Sequence, residues 1–211
     1  MDTHSSEMMD FLETVGKLKT TFRYSETAPN RKESVADHSF RVALMTISYK
    51  HFLSNSEDQK RALRMALVHD IAESVTGDID FVRIYDGEIR REDKRELEVE
   101  AMKKISTMLP EEMRDDVLSL CEEYDKKKTD VARFVRALDK LETLLQLAEQ
   151  GHESFDRPEM IANYADSSVS DFPDLKPFLL EIKKRLRNEF MSGGIEWKES
   201  YDDIISNHHT L

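Results

Sequence analysis

The stretch Leu67-Val68-His69-Asp70-Ile71-Ala72-Glu73-Ser74-Val75-Thr76-Gly77-Asp78-Ile79-Asp80 sets His69, Asp70, Glu73 and Asp78 into a segment that otherwise reads as core. From Ala62 to Ala72 most residues are apolar, among them Leu63, Met65, Ala66, Leu67, Val68 and Ile71. A helix apolar around its circumference belongs inside a bundle. A carboxylate there must be paired or bound to a cation, because an isolated buried charge is too costly to keep. His69 and Asp70 are sequence neighbours, about 100° apart around a helix, so one flank can offer both to a single ion. Glu73 falls one turn beyond His69 on the same face. Gly77 suits a helix stop and swings Asp78 back over the helix end. The pattern predicts a metal site with acid-base groups beside it, on a central helix reaching to about Val75.

Outward from that helix the chain reads as helical throughout. Ser5 to Lys19 carries a stripe at Met8, Phe11, Leu12, Val15 and Leu18, with Ser5 or Ser6 as cap. Thr20 to Lys32 loses the period and holds Pro29-Asn30, a loop that is basic at Arg23, Arg31 and Lys32. Loop cations usually serve a solvated surface, but these stand just before the next motif and are candidates for an anionic ligand. Ser34 begins a second helix, with Asp37 as the partner in a capping box. His38, Val42, Met45, Tyr49 and Phe52 give it one buried face with a histidine at its start. Ile79 to Gly87 has no helical period and is expected to be a loop over the site.

Leu97, Ala101, Met102, Ile105, Met108 and Leu109 mark the buried side of a very charged helix from Glu88 to Met108. Another helix follows Pro110, and a longer one runs from Thr129 to about Gln150. Asp139 lies at the edge of the latter's apolar stripe, a position disfavoured for Asp unless something holds its carboxylate. Gly151 to Pro173 reads as irregular with one short helix near Met160. A last helix through Phe178, Leu179, Ile182, Leu186 and Phe190 closes at Gly193-Gly194. The tail residues Trp197, Tyr201, Ile204 and Ile205 are apolar enough to dock.

Composition agrees. The 211 residues, with 39% hydrophobic and 35% charged side chains and only 6 Gly and 5 Pro, favour an all-α single-domain helical bundle. Residues 11–150 form its core and 151–211 a C-terminal helical extension. A net charge of −12 argues against nucleic-acid binding, which needs a basic face. No apolar run approaches the ~20 residues of a membrane span. Met1-Asp2-Thr3-His4 lacks the order of a signal peptide, and one Cys beside ten Met suits a reducing, cytoplasmic setting.

His38, then His69-Asp70, then Asp139 resembles the H…HD…D signature of the HD-domain metal-dependent phosphohydrolases. Three longer blocks, Arg31-Lys32-Glu33-Ser34-Val35-Ala36-Asp37-His38, Ala66-Leu67-Val68-His69-Asp70-Ile71-Ala72-Glu73 and Thr76-Gly77-Asp78-Ile79, resemble its 5′-deoxynucleotidase branch. The resemblance implies an HD-type helical fold and one divalent transition metal on His38, His69, Asp70 and Asp139. Mixed nitrogen and oxygen donors suit Mn, Co, Fe, Ni or Zn. It further implies removal of the 5′-phosphate from deoxyribonucleoside 5′-monophosphates, and a homodimer.

By the same resemblance Glu73 and Asp78 are the two catalytic acids that do not bind the metal. One orients or deprotonates water, and the other serves the leaving 5′-oxygen or the ribose. Arg23 matches the phosphate-binding arginine. Tyr24 stands where the family's bacterial member has Trp, keeping a ring for stacking on base or sugar. Arg31 and Lys32 are further substrate-binding candidates. An HD-type phosphodiesterase or pyrophosphohydrolase acting on another nucleotide is the alternative, and a non-catalytic metal- or nucleotide-binding protein a third reading.

Overall fold

The computed structural model describes residues 3–23 and 32–203. Among them the regular structure is helical: α1 Thr3–Gly16, α2 Val35–Tyr49, α3 Ser56–Val68, α4 Glu73–Thr76, α5 Phe81–Tyr85, α6 Arg91–Met108, α7 Glu111–Lys126, α8 Asp130–Gln150, α9 Pro158–Ile161, α10 Asp166–Ser170 and α11 Lys176–Ser192. The fold is all-α, as composition and periodicity predict. The loop expected between α1 and α2 is closed at its base by one antiparallel bridge, Phe22 to Ser34.

Local chemistry sets the helix starts. The Ser34 hydroxyl accepts from the Asp37 amide, and the Asp37 carboxylate accepts from the Ser34 amide, both at 3.1 Å, completing the predicted capping box. Asn55 caps α3 through the amides of Glu57 and Asp58, and Thr129 caps α8 through Ala132. Gly77, at φ 74°, ends α4 in the left-handed region that glycine tolerates.

α8 is the axis of the bundle. It packs against α2, α3, α7, α10 and α11, and Phe134, Val135, Leu138, Leu141 and Leu144 are wholly buried in it. Each such side chain contributes about 1.5–3 kcal/mol through removal from water. Leu179, Ile182, Leu186 and Phe190 of α11 join the same apolar cluster as Val42, Met65 and Leu138. The tail docks beside them. Trp197 packs edge-on to Phe190 and Tyr201, and the buried Lys183 ammonium binds Asp166 at 2.8 Å and the Tyr201 carbonyl at 2.7 Å.

Several sequence expectations are corrected. The central helix does not run unbroken to Val75: α3 ends at Val68, and the chain passes through tight turns before α4. Nor is α3 buried all round, since Leu67 is 54% exposed. The Ile79–Gly87 segment contains α5, started by Asp80, whose carboxylate accepts from the Val82 amide. Leu97 is exposed, on the outward side of the first half of α6, and only Ala101 and Ile105 of that helix are buried. α1 begins at Thr3, so neither Ser5 nor Ser6 caps it, and Leu12 faces outward. Residues 151–173 hold two short helices, α9 and α10, rather than one. Ile204 and Ile205 lie outside the described residues.

Candidate active site

The turns after α3 present the histidine and the acids. Amides of Ile71, Glu73 and Ser74 bond to carbonyls three residues back at 3.0–3.1 Å, tighter winding than an α-helix. The His69 Nδ1 donates to the Ala66 carbonyl at 3.0 Å, which leaves a lone pair on Nε2. His38, fully buried on the first turn of α2, has its Nδ1 against the Glu142 carboxylate of α8 in a short hydrogen bond. Its Nε2 is likewise turned inward, 3.3 Å from the His69 Nε2.

Carboxylates surround those two nitrogens. Asp139 Oδ1 is 3.2 Å from His38 Nε2. Asp70 Oδ2 is 3.2 Å from His69 Nε2 and 3.7 Å from His38 Nε2. The other Asp139 oxygen accepts from the buried Tyr124 hydroxyl at 2.6 Å. Ligands bonded at about 2.0–2.2 Å to one ion stand roughly 3.0–3.5 Å apart in octahedral or tetrahedral geometry. The 3.2–3.3 Å spacings fall in that range, Asp70 Oδ2 to His38 Nε2 at 3.7 Å lies outside it, and the donors that are all mutually close are those of His38, His69 and Asp139. Two imidazole lone pairs facing each other at 3.3 Å also require a proton or a cation between them. The donor set therefore fits a divalent metal, with Glu142 and the Ala66 carbonyl fixing the tautomers from behind.

Arg23 enters from the loop base. Its amide donates to the Glu33 carbonyl while Val35 donates to Thr21, both at 2.9 Å, so the bridge fixes its backbone. The guanidinium donates to the Thr143 hydroxyl at 3.0 Å and lies 3.9 Å from Asp70 and 3.8 Å from Glu33. Arg41 braces the far side, binding Glu142 at 2.6 Å and Glu149 at 2.6 Å.

The acids divide into two populations. Burial acts to raise all of them, but His69 and His38 together overcome it at Asp70, and His38, His69 and Arg23 together overcome it at Asp139, so both are held below the usual carboxylate range. Glu142 likewise drops to about 2, burial being overcome by His38 and then by Arg23 and Arg41. Glu73 goes the other way: burial, then Asp70 and Asp78, push it well up. Asp78 is also raised by burial, against the pull of Arg23 and Lys94. One Glu73 oxygen is buried with no hydrogen-bond partner among the described residues. Carboxyls whose environments drive their pKa values apart are the usual signature of divided acid-base roles.

Of the sequence-predicted residues, His38, His69, Asp70, Asp139 and Arg23 come together, and Glu73 and Asp78 feel the same charges. Lys32 is half-buried two residues before Ser34. Tyr24 and Arg31 lie outside the described residues. Sequence reasoning missed Glu142, Thr143, Arg41 and Tyr124. Glu142 and Thr143 follow Asp139 by three and four positions on α8, and Arg41 follows His38 by three on α2, so helical spacing puts them on the same faces without showing that they pair across the two helices.

An all-helical bundle in which α2, the turns after α3 and α8 supply His, His-Asp and Asp to one cluster has the architecture of an HD domain. The HD domain family model matches residues 15–172. The chain is 35% identical over 181 residues to 5′-deoxynucleotidase HDDC2 of Homo sapiens, covering 83% of this chain and 84% of that one. It is 33% identical over 151 residues to 5′-deoxynucleotidase hdd1 of Schizosaccharomyces pombe, covering 69% and 73%. Among solved structures it is similar to one described as a predicted metal-dependent phosphohydrolase from Magnetospirillum magnetotacticum, with TM-score 0.68, 26% identity, and 93% and 100% coverage. The chain belongs to the HD-domain family, in its 5′-deoxynucleotidase branch.

Proposed function

We propose that this protein hydrolyses the 5′-phosphate ester of deoxyribonucleoside 5′-monophosphates, with one divalent transition metal held by His38, His69, Asp70 and Asp139. The observation that carries the reading is the gathering of His38, His69 and Asp139 into one donor group, with Asp70 3.2 Å from His69 and 3.7 Å from His38 and Arg23 beside them. The deoxyribonucleotide part follows the names of the relatives. When bound, the ion would supply Lewis-acid polarisation of the phosphate and a lowered pKa for water.

The chain's own groups do the rest. Arg23 binds phosphate oxygens through its fork and stabilises the charge that builds on them. Glu73, made more basic by burial and by Asp70, takes the proton of the attacking water. Asp78 gives a proton to the 5′-oxygen as the phosphorus–oxygen bond breaks, so deoxynucleoside and inorganic phosphate leave. Tyr24, Arg31 and Lys32 complete the substrate contacts in this reading.

The reading extends to one domain of 211 residues, supported by the shared cluster of α8 and α11. It includes a homodimer, supported by the exposed apolar row Phe40, Leu44 and Ile47 on α2. It also includes a cytoplasmic location, supported by one Cys among ten Met. Metal-stripped protein, given each candidate ion, is assayed for phosphate from dAMP, AMP, bis-p-nitrophenyl phosphate and ppGpp. Release from dAMP is expected; activity on the diester or ppGpp alone would reject the proposal.

A further inference from the structure

α7 supplies none of the four proposed metal donors, yet one of its side chains touches two of them. Tyr124, in the last turn of α7, is 6% exposed. Its hydroxyl donates to Asp139 Oδ2 at 2.6 Å. Its ring meets the His69 ring edge-on, centres 5.1 Å apart and inclined at 62°. Cys121, three residues earlier on the same helix, donates to the carbonyl of Val68, the residue before His69. The helix is thus seated on the segment that carries one ligand while its tyrosine reaches another.

Tyr124 is itself held in place. Arg136, three residues before Asp139 on α8, lies over its ring with the guanidinium carbon 5.7 Å from the ring centre. Residues 127–129 alone join α7 to α8. Lys127 takes a left-handed φ of 53° there, and Thr129 then caps α8.

The two Asp139 oxygens are thereby divided. Oδ1 stands 3.2 Å from His38 Nε2, beside the imidazole nitrogens. Oδ2 is taken by the tyrosine in a bond as short as those that hydroxyls make to ionised carboxylates. A carboxylate can bind an ion through one oxygen or through both. Through both it fills two coordination positions; through one it leaves the second for another ligand. On the reading of His38, His69, Asp70 and Asp139 as one metal site, we infer that Tyr124 is a positioning residue whose hydroxyl restrains Asp139 to a single metal-binding oxygen. The position so kept open serves the water and the phosphate oxygen that the reaction brings together. Glu142 and the Ala66 carbonyl fix the two imidazoles from behind, and Tyr124 does the same for the carboxylate of α8.

Tyr124→Phe removes the hydroxyl and keeps the ring on His69. Unaltered and variant proteins are stripped of metal and loaded with Mn. Mn affinity is read by electron paramagnetic resonance, the number of metal-bound waters by water-proton relaxation, and the fold by circular dichroism. The variant is expected to hold Mn and to lose about one bound water as Asp139 closes on the ion with its second oxygen. Turnover of dAMP is expected to fall roughly 10–100-fold, as on removal of other outer-shell partners. A folded variant that holds Mn with an unchanged water number overturns the inference. So does one that loses Mn, since the hydroxyl then secures the ligand itself rather than limiting it to one oxygen. If the variant does not fold, diffraction from the unaltered Mn complex decides: Asp139 bonded through Oδ1 alone is expected, and bonding through both oxygens overturns the inference. Unaltered protein that binds no Mn rejects the metal site and this role with it. Mn binding and the expected loss of water, with no phosphate released from dAMP by the unaltered protein, sustains the role of Tyr124 and rejects the hydrolase reading.

Discussion

The Nε2 atoms of His38 and His69 stand 3.3 Å apart while the Nδ1 of each ring is already engaged, one by Glu142 and the other by the Ala66 carbonyl. Neither ring can turn to relieve the facing lone pairs without abandoning a buried hydrogen bond. Leaving such a group unsatisfied costs roughly 1–3 kcal/mol. The fold therefore keeps the two imidazole edges facing each other, as the proposed shared cation requires, and the consequences of that arrangement can be measured.

Glu142 is the first place to look. It fixes the His38 tautomer and is itself held by Arg41 at 2.6 Å. Glu142→Gln keeps the shape but not the charge behind the imidazole. Metal affinity, read by competition with a chromophoric chelator, is expected to fall roughly 10–100-fold, as for other outer-shell partners of a ligating histidine, with helical content unchanged.

Arg23→Lys keeps one positive charge but loses the planar fork. Phosphate-monoester turnover is expected to drop roughly 10²–10³-fold, the cost of one lost transition-state donor. Bound metal, measured by elemental analysis, should not change. An active Lys variant would remove the fork from the account.

Glu73→Gln should separate activity from stability. Turnover is expected to fall roughly 10²–10⁴-fold with metal retained. Burial and the charges of Asp70 and Asp78 raise the Glu73 pKa in the fold. A group raised on folding contributes its stability below its unfolded pKa, near 4.3, and loses it as pH climbs toward the folded value. The metal-free protein should thus lose stability above about pH 4.3 through this group. Metal-free Glu73→Gln should melt higher at pH 7 than the unaltered protein.

Cys121 offers a probe of the packing behind the turns that carry His69. Burial pushes its thiol up to about 12, and it donates to the Val68 carbonyl at 3.4 Å. Native protein should react with a thiol reagent at pH 8 only as fast as it unfolds, and at once in denaturant. The sign follows the same rule: stability from this thiol is complete below its unfolded pKa, about 8.5, and is lost as pH rises toward 12. Cys121→Ala should flatten the alkaline end of the stability curve.

The fold class was legible because apolar residues recur at helical spacing across nearly the whole chain, and the cluster because His38, His69-Asp70 and Asp139 each break an apolar face. Glu142 and Arg41 were not legible as partners. An acid and a cation beside an apolar stripe look like solvated surface until α2 and α8 are laid together. The break after Val68 carries no Gly or Pro to announce it; the turns that follow hold His69, bonded back to the Ala66 carbonyl, and Asp70, 3.7 Å from His38, contacts that no local pattern announces. α5 is five residues long, too short for its period to register. Leu97 continues a stripe in sequence but is exposed on the first half of α6, where no residue is fully buried, and periodicity does not carry how far along a helix its partners reach.

The central claim is that four side chains from α2, α8 and the turns after α3 share one ion. Anomalous diffraction from a crystal grown with Mn tests it most directly. A single strong peak bonded at about 2.0–2.2 Å to His38, His69, Asp70 and Asp139 is expected. A peak instead among Glu33, His38 and Glu142, the other donor group found around that histidine, or no peak near His69, would contradict it.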